Sequence, residues 1–235
     1  MSGRYLIVDT STPAGSLALC ENGRVLVEYR RSLPGTHTEW LLAAMDQLLA
    51  QAGISPRQLE ALAAVVGPGS FTGLRVGLAT VKGVALAADL PVVPLSSLEL
   101  LACAVPYAAE PVCALLDARK SEVYFGLYDT SDGCPVAVAD DEVLPPAELS
   151  TRLREPVLMV GDGAWVYRDQ LADLAGQGCL FASPCLGSPR AALGAELVVR
   201  RLKEKCSVSA ASLVPRYLRA SEAERARNKG DLPSL

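Results

Sequence analysis

Residues 66–77, VGPGSFTGLRVG, join two apolar stretches with a glycine spacing that resembles sites for phosphate binding or nucleophilic catalysis. A P-loop needs GxxxxGK followed by serine or threonine, because a lysine must reach the outer phosphates, and Lys82 lies too far along the chain. The dinucleotide motif GxGxxG fails by one residue, since the glycines are Gly67, Gly69 and Gly73. The segment therefore matches neither motif.

Other chemistry is limited by the residues that the chain contains. A serine nucleophile needs the pattern GxSxG, and Ser70 has Pro68 where the first glycine belongs. The chain has one histidine, His37, so a metal site built from several imidazoles is excluded by counting. Seven cysteines occur without a CxxC pair, which argues against a zinc knuckle, and their odd number argues against a disulfide framework. We expect no metal site and no catalytic nucleophile.

The glycine segment does predict a helix after it. Between about residues 73 and 88, small side chains recur at spacings of four, three, four and three, which places them on one helix face. They are Gly73, Gly77, Thr80, Val84 and Ala87. Such a face admits another backbone closely, either the sheet of the same chain or a second subunit, and the pattern leaves both open. The N–H groups that start the helix could also hold an anion.

The elements around this helix form an α/β pattern that occurs twice. The first half contains predicted strands at 5–8, 15–20 and 24–31, a helix at 37–52, a strand at 61–66, the glycine helix and a strand at 91–95. The second half contains predicted strands at 112–116, 122–128 and 134–139, a helix at 146–154, a strand at 157–160 and helices at 164–175 and 190–205. Each first strand ends at an aspartate, Asp9 or Asp117. We predict two halves, 1–105 and 106–219, and a flexible tail over 220–235.

Composition and charge restrict the partners. The 22 basic and 26 acidic side chains give a net charge of -4, which offers no overall attraction to a nucleic-acid backbone. Half of the residues are apolar, enough for a large core. The N-terminus has no signal-peptide core and no apolar run reaches membrane-spanning length, so we expect a cytoplasmic protein without membrane contact.

Four segments together resemble one known family. They are residues 6–12 (LIVDTST), 66–77 with 82–83 (KG), 116–119 (LDAR) with 122–124 (EVY), and 215–219 (PRYLR), in that order along the chain. With them, residues 4–219 resemble the bacterial family of the tRNA threonylcarbamoyladenosine biosynthesis protein TsaB. The glycine segment is long and specific, and the other three segments support it by their order.

The resemblance implies both a fold and a function. The fold is α/β of the actin/Hsp70-like class, with two ribonuclease H-like halves of which the second is reduced. The function is that of a non-catalytic scaffold and activating subunit, which pairs with the catalytic paralogue TsaD and, with the ATPase TsaE, supports installation of threonylcarbamoyladenosine in tRNA. Such a chain would form a homodimer when alone and contact tRNA only through the complex. It would need no cofactor of its own, with ATP or ADP acting at the level of the complex.

The catalytic paralogue has a metal-binding HHxxxH motif after the glycine helix, and this chain departs from it. The corresponding residues 95–101 read LSSLELL. Serine hydroxyls are poor ligands for zinc or iron, and Glu99 alone cannot hold a transition metal. The resemblance therefore implies a paralogue that kept the scaffold and lost the chemistry.

The two aspartates keep an alternative function open, an ATP-dependent kinase or ATPase. In ATPases of this superfamily the corresponding aspartates hold magnesium and activate water. Against this function, Pro13 follows residues 10–12 where a glycine-rich phosphate hairpin is usual, and Arg119 could simply pair with the second aspartate. The residues that would contact a phosphate or nucleotide are Asp9, Thr10, Ser11, Gly67, Gly69, Ser70 and Asp117.

Under the pairing hypothesis, helices 37–52 and 73–88 form the partner interface in a pseudo-symmetric bundle. The predicted interface residues are His37, Trp40, Leu41, Gly73, Gly77, Thr80, Val84 and Ala87. Gly77→Leu is then expected to abolish pairing and leave the monomer folded.

Direct tRNA binding is a third hypothesis. It rests on a locally basic C-terminal region, interrupted by Glu222 and Glu224 and lacking a series of aromatic residues for base stacking. The basic residues are Arg216, Arg219, Arg225, Arg227 and Lys229.

Overall fold

The fold consists of two β-sheets with helices on both faces of each. The structure is a computed structural model that describes residues 3–33, 35–153, 155–175 and 178–219. The predicted tail over 220–235 lies outside these described residues. The helices are α1 (Leu41–Gln51), α2 (Phe71–Ala88), α3 (Ser97–Ala102), α4 (Leu149–Arg152), α5 (Asp162–Val166), α6 (Ala172–Ala175) and α7 (Ala195–Lys203).

The first sheet has the order β3-β2-β1-β4-β5. The strands β1, β2 and β3 are antiparallel neighbours, whereas β4 and β5 run parallel to β1. Their bounds are β1 (Arg4–Asp9), β2 (Gly15–Glu21), β3 (Arg24–Arg31), β4 (Ala61–Gly67) and β5 (Val92–Ser96).

The central strand β1 is buried on both faces, which explains its continuous apolar sequence. Leu6 and Val8 pack in one core with residues of α1 and α2. Tyr5 and Ile7 point to the opposite face and pack in a second core with residues of α7. The period of two along the strand thus assigns successive side chains to the two layers.

The second sheet repeats this connectivity, with the order β11-β10-β6-β7-β8 and β9 also paired to β7. β7 is antiparallel to β6 and β10 is parallel to it, as β2 and β4 are to β1. Two outer strands have only two residues each, so this half is reduced. The predicted actin/Hsp70-like fold of two ribonuclease H-like halves is confirmed. The bounds are β6 (Val112–Arg119), β7 (Glu122–Asp129), β8 (Val136–Ala137), β9 (Glu142–Leu144), β10 (Leu158–Val160) and β11 (Leu180–Phe181).

Two helices each pack on the sheet of the other half. α3 follows the first sheet in sequence, and its Leu98 and Leu101 pack in a core with residues of β6 and β10. α7 follows the second sheet, and its Leu197 and Val198 pack beneath β1. An ion pair of 2.6 Å between Glu99 of α3 and Arg201 of α7 joins these crossing helices. The halves are therefore interlocked by packing as well as by the peptide chain.

Several predicted elements differ in the second half. β6 continues through Asp117, which therefore lies within the strand and not after it. The strand predicted at 134–139 shrinks to the exposed pair of β8, and β9 and β11 have no predicted counterpart. The helix predicted at 164–175 is two short helices, α5 and α6. These elements are too short for a hydrophobic period to reveal them.

The glycine helix α2 begins at Phe71, two residues earlier than predicted, because the Ser70 hydroxyl accepts the N–H of Gly73 as an N-cap. Among the described residues, α2 is long and apolar enough to span a membrane by length and composition, contrary to the expectation that no run reaches that length. Its Leu78 and Val81 are buried in the core shared with β1 and β4. This burial is expected of a helix that covers a sheet.

Candidate functional site

A cleft of about 590 Å³ lies between the two halves, where β1, β4 and β6 reach their carboxyl ends. Ligands of open α/β sheets bind at such ends, so the cleft is the candidate site. Its walls come from the turn after β1, the glycine segment, the β6–β7 hairpin and the segment after α7. The lining residues are Ser11, Thr12, Pro13, Pro68, Gly69, Ser70, Phe71, Arg75, Leu116, Asp117, Ala118, Arg119, Tyr124, Asp162, Arg216, Tyr217, Leu218 and Arg219.

The glycine segment brings three stretches of backbone together at the cleft wall. Gly67 has a φ of 126°, and a Cβ there would lie 2.5 Å from the carbonyl oxygen of Arg216. A Cβ on Gly69 would overlap the carbonyl oxygen of Ser11, which accepts the N–H of Ser70 at 2.7 Å. The glycines are thus required by close backbone approach. The Ser70 N–H is used inside the chain and is therefore not available to a phosphate.

Asp9 lies below the cleft wall and is fully buried. Its Oδ1 accepts the backbone N–H of Ser11 at 2.9 Å and the Ser11 hydroxyl at 2.6 Å. Its Oδ2 has no hydrogen-bond partner within the described part of the chain. Burial raises the pKa of Asp9 from 3.8 to about 6, and the two Ser11 hydrogen bonds oppose this shift. The carboxyl group is therefore held inside the turn after β1 through Oδ1.

Asp117 lines the cleft, but its carboxylate is engaged by its own half. Oδ1 accepts the N–H of Arg119 at 2.8 Å and the hydroxyl of Tyr167 at 3.1 Å. Oδ2 forms an ion pair of 3.1 Å with Arg119, the pairing that the sequence had offered as the alternative to magnesium binding. The backbone N–H of Asp117 donates to Asp162, whose pKa is raised by burial. The residues at the end of β6 thus form a local network.

An aromatic and cationic cluster covers the other wall. The rings of Phe71 and Tyr217 stack with centroids 4.7 Å apart. The guanidinium of Arg75 lies 3.8 Å from the Phe71 centroid, and its Nε donates to the Tyr217 hydroxyl at 3.1 Å. This cluster connects the start of α2 to the segment after α7. The sequence did not reveal this cluster, although the PRYLR segment was one of the four that carried the resemblance.

The described basic residues of the C-terminal segment, Arg216 and Arg219, are paired within the chain. Arg216 forms an ion pair of 2.6 Å with Asp141. Arg219 donates to the carbonyl of Ala118 at 2.9 Å and pairs with Glu122. Arg225, Arg227 and Lys229 lie outside the described residues. The described basic residues are thus engaged in contacts that compete with binding to tRNA phosphates.

The predicted phosphate contacts divide into two groups. Ser11, Gly69, Ser70 and Asp117 line the cleft. Asp9, Thr10 and Gly67 do not, because they lie beneath its surface. The Thr10 hydroxyl, for example, donates to the carbonyl of Gly73 at 2.8 Å and so holds the turn after β1 against α2.

Sequence and structure comparisons agree on the family. The family model described as TsaD, tRNA N6-adenosine threonylcarbamoyltransferase, matches residues 34–227. The tRNA threonylcarbamoyladenosine biosynthesis protein TsaB of Bacillus subtilis is 32% identical over 222 residues, which cover 93% of this chain and 95% of that protein. The chain belongs to the TsaB family. The protein of the same name from Haemophilus influenzae is 35% identical, with 91% and 92% of the two chains covered.

A solved TsaB-family structure supports the same conclusion for the fold. YeaZ from Pseudomonas aeruginosa is 30% identical and superposes with a TM-score of 0.81, covering 93% of this chain and all of that chain. Members of the TsaB family are paralogues of TsaD, which agrees with the match to the TsaD model. The four segments that carried the resemblance therefore predicted the family correctly.

In this TsaB-family chain, the small-residue face of α2 packs largely against its own chain. Gly73 and Gly77 are buried, and a Cβ on either would overlap Thr10. Thr80 and Val84 are half-buried, and only Ala87 of the five is exposed. Gly73 and Gly77 therefore present no free surface, because the turn after β1 occupies that space.

The predicted interface residues at the start of α1 are also turned inward. Trp40 and Leu41 are 7% and 1% exposed and belong to the core. The ring of His37 is half-buried, with Nε2 2.9 Å from the carbonyl oxygen of Thr12. Burial lowers the pKa of His37, so the ring is neutral near pH 7 and Nε2 carries the proton that it donates. These three residues support the fold and do not form a free surface.

The exposed face of α2 in this TsaB-family chain lies about 100° around the helix from the predicted one. It carries Thr72, Ala79 and Gly83, with no atom within 4 Å of a Cβ placed on Gly83. Leu86 continues this face and is 70% exposed. We call these four residues the outer face of α2. Small residues occur on both faces of α2 in the sequence, and only the packing shows which face is covered.

Proposed function

We propose that this protein is a non-catalytic scaffold and activating subunit of the complex that installs threonylcarbamoyladenosine in tRNA, pairing with the catalytic paralogue TsaD and the ATPase TsaE. The identity to proteins named for this biosynthesis, over more than nine-tenths of both chains, supports the assignment to that process. One structural observation carries the non-catalytic part: the side chains at the position of the paralogue's metal motif are bound within this chain.

The residues that replace the metal motif have structural partners. Ser96 donates to Asp141 at 3.1 Å, and Ser97 donates to the carbonyl of Pro68. The carboxylate of Glu99 pairs with Arg201 at 2.6 Å. These contacts hold the end of β5 and the helix α3 against other elements of the chain. Among the described residues, no group of three or more His, Cys, Asp or Glu side chains could hold a metal ion.

The outer face of α2 is the surface that we propose for the partner. Its small residues would allow a helix of TsaD to approach closely, and Leu86 would supply apolar contact. The TsaD model matches residues 34–227, which include α1 and α2, so both subunits would present related helices. Pairing of two such helices also accounts for a homodimer of this chain when TsaD is absent.

We propose that ATP or ADP acts at the level of the complex and that this chain requires no cofactor of its own. tRNA would be contacted through the complex, since Arg216 and Arg219 already pair with acidic groups of this chain. We propose a cytoplasmic location, because the process for which the relatives are named acts on tRNA.

The test is size-exclusion chromatography with light scattering on this protein alone and mixed with TsaD from the same cell. We expect a homodimer that exchanges into a stable heterodimer, to which TsaE adds in the presence of ATP. A protein that forms no complex with TsaD, and that hydrolyses ATP alone in a magnesium-dependent reaction, would overturn the proposal. That outcome would favour the alternative of an ATPase or kinase.

A further inference from the structure

The segment of residues 214–219, which we call the strap, leaves the first half and crosses the cleft. Leu213, just before it, is buried in the core below α1 and α2. The N–H of Arg216 donates to the carbonyl of Val66 at 2.8 Å, at the end of β4. The ring of Tyr217 stacks on Phe71 at the start of α2. The strap is therefore anchored to the first half by backbone and by side chain.

The two arginines of the strap reach the second half. The guanidinium of Arg216 binds Asp141 at 2.6 Å. Arg219 donates to the carbonyl of Ala118 at 2.9 Å and pairs with Glu122. These two residues lie on either side of the turn between β6 and β7. The strap thus connects both cleft walls through contacts that are remote in sequence.

Asp141 is the point where these contacts converge. Its carboxylate is only 5% exposed. Oδ1 accepts the hydroxyl of Tyr128 at 2.7 Å, and Oδ2 accepts the hydroxyl of Ser96 at 3.1 Å in addition to the guanidinium of Arg216. It therefore joins the first sheet, the second sheet and the strap. A carboxylate removed from water in this way depends on its cation, because an unpaired buried charge is strongly unfavourable.

We propose that the strap is a clasp that sets how far the cleft can open, with the Arg216–Asp141 ion pair as its latch. The crossing helices α3 and α7 hold the halves together at their cores, so the cleft walls can separate only by a hinge motion about those helices. Such a motion pulls the β6–β7 hairpin away from β4. It must break the bonds of Arg216 and Arg219 to the second half, since the strap backbone stays bonded to Val66. Release of the latch is therefore coupled to exposure of the cleft.

The test is hydrogen–deuterium exchange followed by mass spectrometry on the full chain, comparing the wild type with Arg216→Met. This variant keeps the apolar stem and removes the guanidinium. We expect peptides covering 118–122 and 214–219 to exchange about tenfold faster, because local opening becomes easier by the loss of a charged hydrogen bond. Peptides from the centres of β1 and β6 should be unchanged. Arg200→Met is the matched control, since Arg200 pairs on the surface of α7 with Glu204, away from the strap.

A second variant, Asp141→Asn, keeps an oxygen for Tyr128 and removes the charge that holds Arg216. It should show the same local increase and thereby tests the clasp even if the first variant folds poorly. Unchanged exchange in both strap and hairpin peptides would overturn the proposal. A uniform increase over the whole chain would also overturn it, because the ion pair would then act only on global stability.

Discussion

The hydroxyl oxygen of Thr10 occupies the space that a Cβ on Gly77 would need. The same hydroxyl donates to the carbonyl of Gly73, one turn earlier in α2. The turn after β1 is therefore packed against the helix backbone. Two of the five small residues on the predicted face, Gly73 and Gly77, leave the space that this turn occupies. This contact buries Gly77 within its own chain and changes what its substitution should do.

Gly77→Ala should lower the free energy of unfolding by about 1–3 kcal/mol, because the new methyl group must displace Thr10 in a packed region. The bulkier Gly77→Leu should fail to give a folded monomer, contrary to the expectation from the sequence. Urea denaturation of the monomer measures both effects. Gly83→Ala is the control, since it meets no atom within 4 Å and should raise helix stability by up to about 1 kcal/mol. Equal stabilities of Gly77→Ala and wild type would show that the new methyl group does not have to displace Thr10.

Leu86→Arg should weaken binding to TsaD without unfolding the chain, because Leu86 is 70% exposed on the outer face of α2 and a charge there would be desolvated by a partner. The matched control is Val166→Arg in the second half, at a residue that is 59% exposed. Titration calorimetry with TsaD should give a dissociation constant about tenfold or more higher for the first variant only. If both variants bind like the wild type, the outer face of α2 is not the interface.

Asp9 should make stability depend on pH. Its pKa is raised by burial from 3.8 to about 6. The neutral carboxyl therefore contributes stability that is fully present below about pH 3.8 and is lost as the pH rises through about 6. The shift corresponds to about 3 kcal/mol.

The measurement for Asp9 is urea denaturation of wild type and Asp9→Asn over a series of pH values. The asparagine keeps an oxygen for both Ser11 bonds but has no charge to bury. Relative to the variant, the wild type should lose about 3 kcal/mol between about pH 4 and about pH 7. Parallel stability curves for the two proteins would show that Asp9 is not the group that titrates.

Arg201→Met should destabilise the chain by about 1–3 kcal/mol, because it leaves Glu99 buried without its cation. The double variant Glu99→Gln with Arg201→Met should recover part of this loss, since no charge then remains in the contact. A double-mutant cycle by chemical denaturation measures the coupling. Additive losses would mean that the ion pair does not join α3 to α7 energetically.

Asp117→Asn should leave the tRNA modification rate of the reconstituted complex within about twofold of wild type, because the proposed role of this chain is not catalytic. The asparagine oxygen can still accept from Arg119 and Tyr167, so the local network is largely kept. Thermal melting of the variant controls for folding. A loss of about a hundredfold or more in rate would identify Asp117 as a catalytic group and favour the ATPase alternative.

The first half could be predicted closely because its signals are local. The strands predicted at 15–20 and 24–31 lie on either side of an Asn-Gly hairpin turn. The bounds of both observed strands agree with the predicted bounds to within one residue. The second half has strands of two residues, such as Val136–Ala137, that are held by pairing to β7 and carry no period of their own.

The sequence by itself determined the family and the two halves, and its single histidine excluded a metal site built from several imidazoles. These conclusions depend only on residue types and their order. The tertiary structure decided what the small and charged residues do. Gly77 meets Thr10 and Arg216 meets Asp141, pairs that are 67 and 75 residues apart in the chain. Such pairs form only when distant parts of the chain fold together. No local pattern encodes which side of a helix, or which arginine, will be covered.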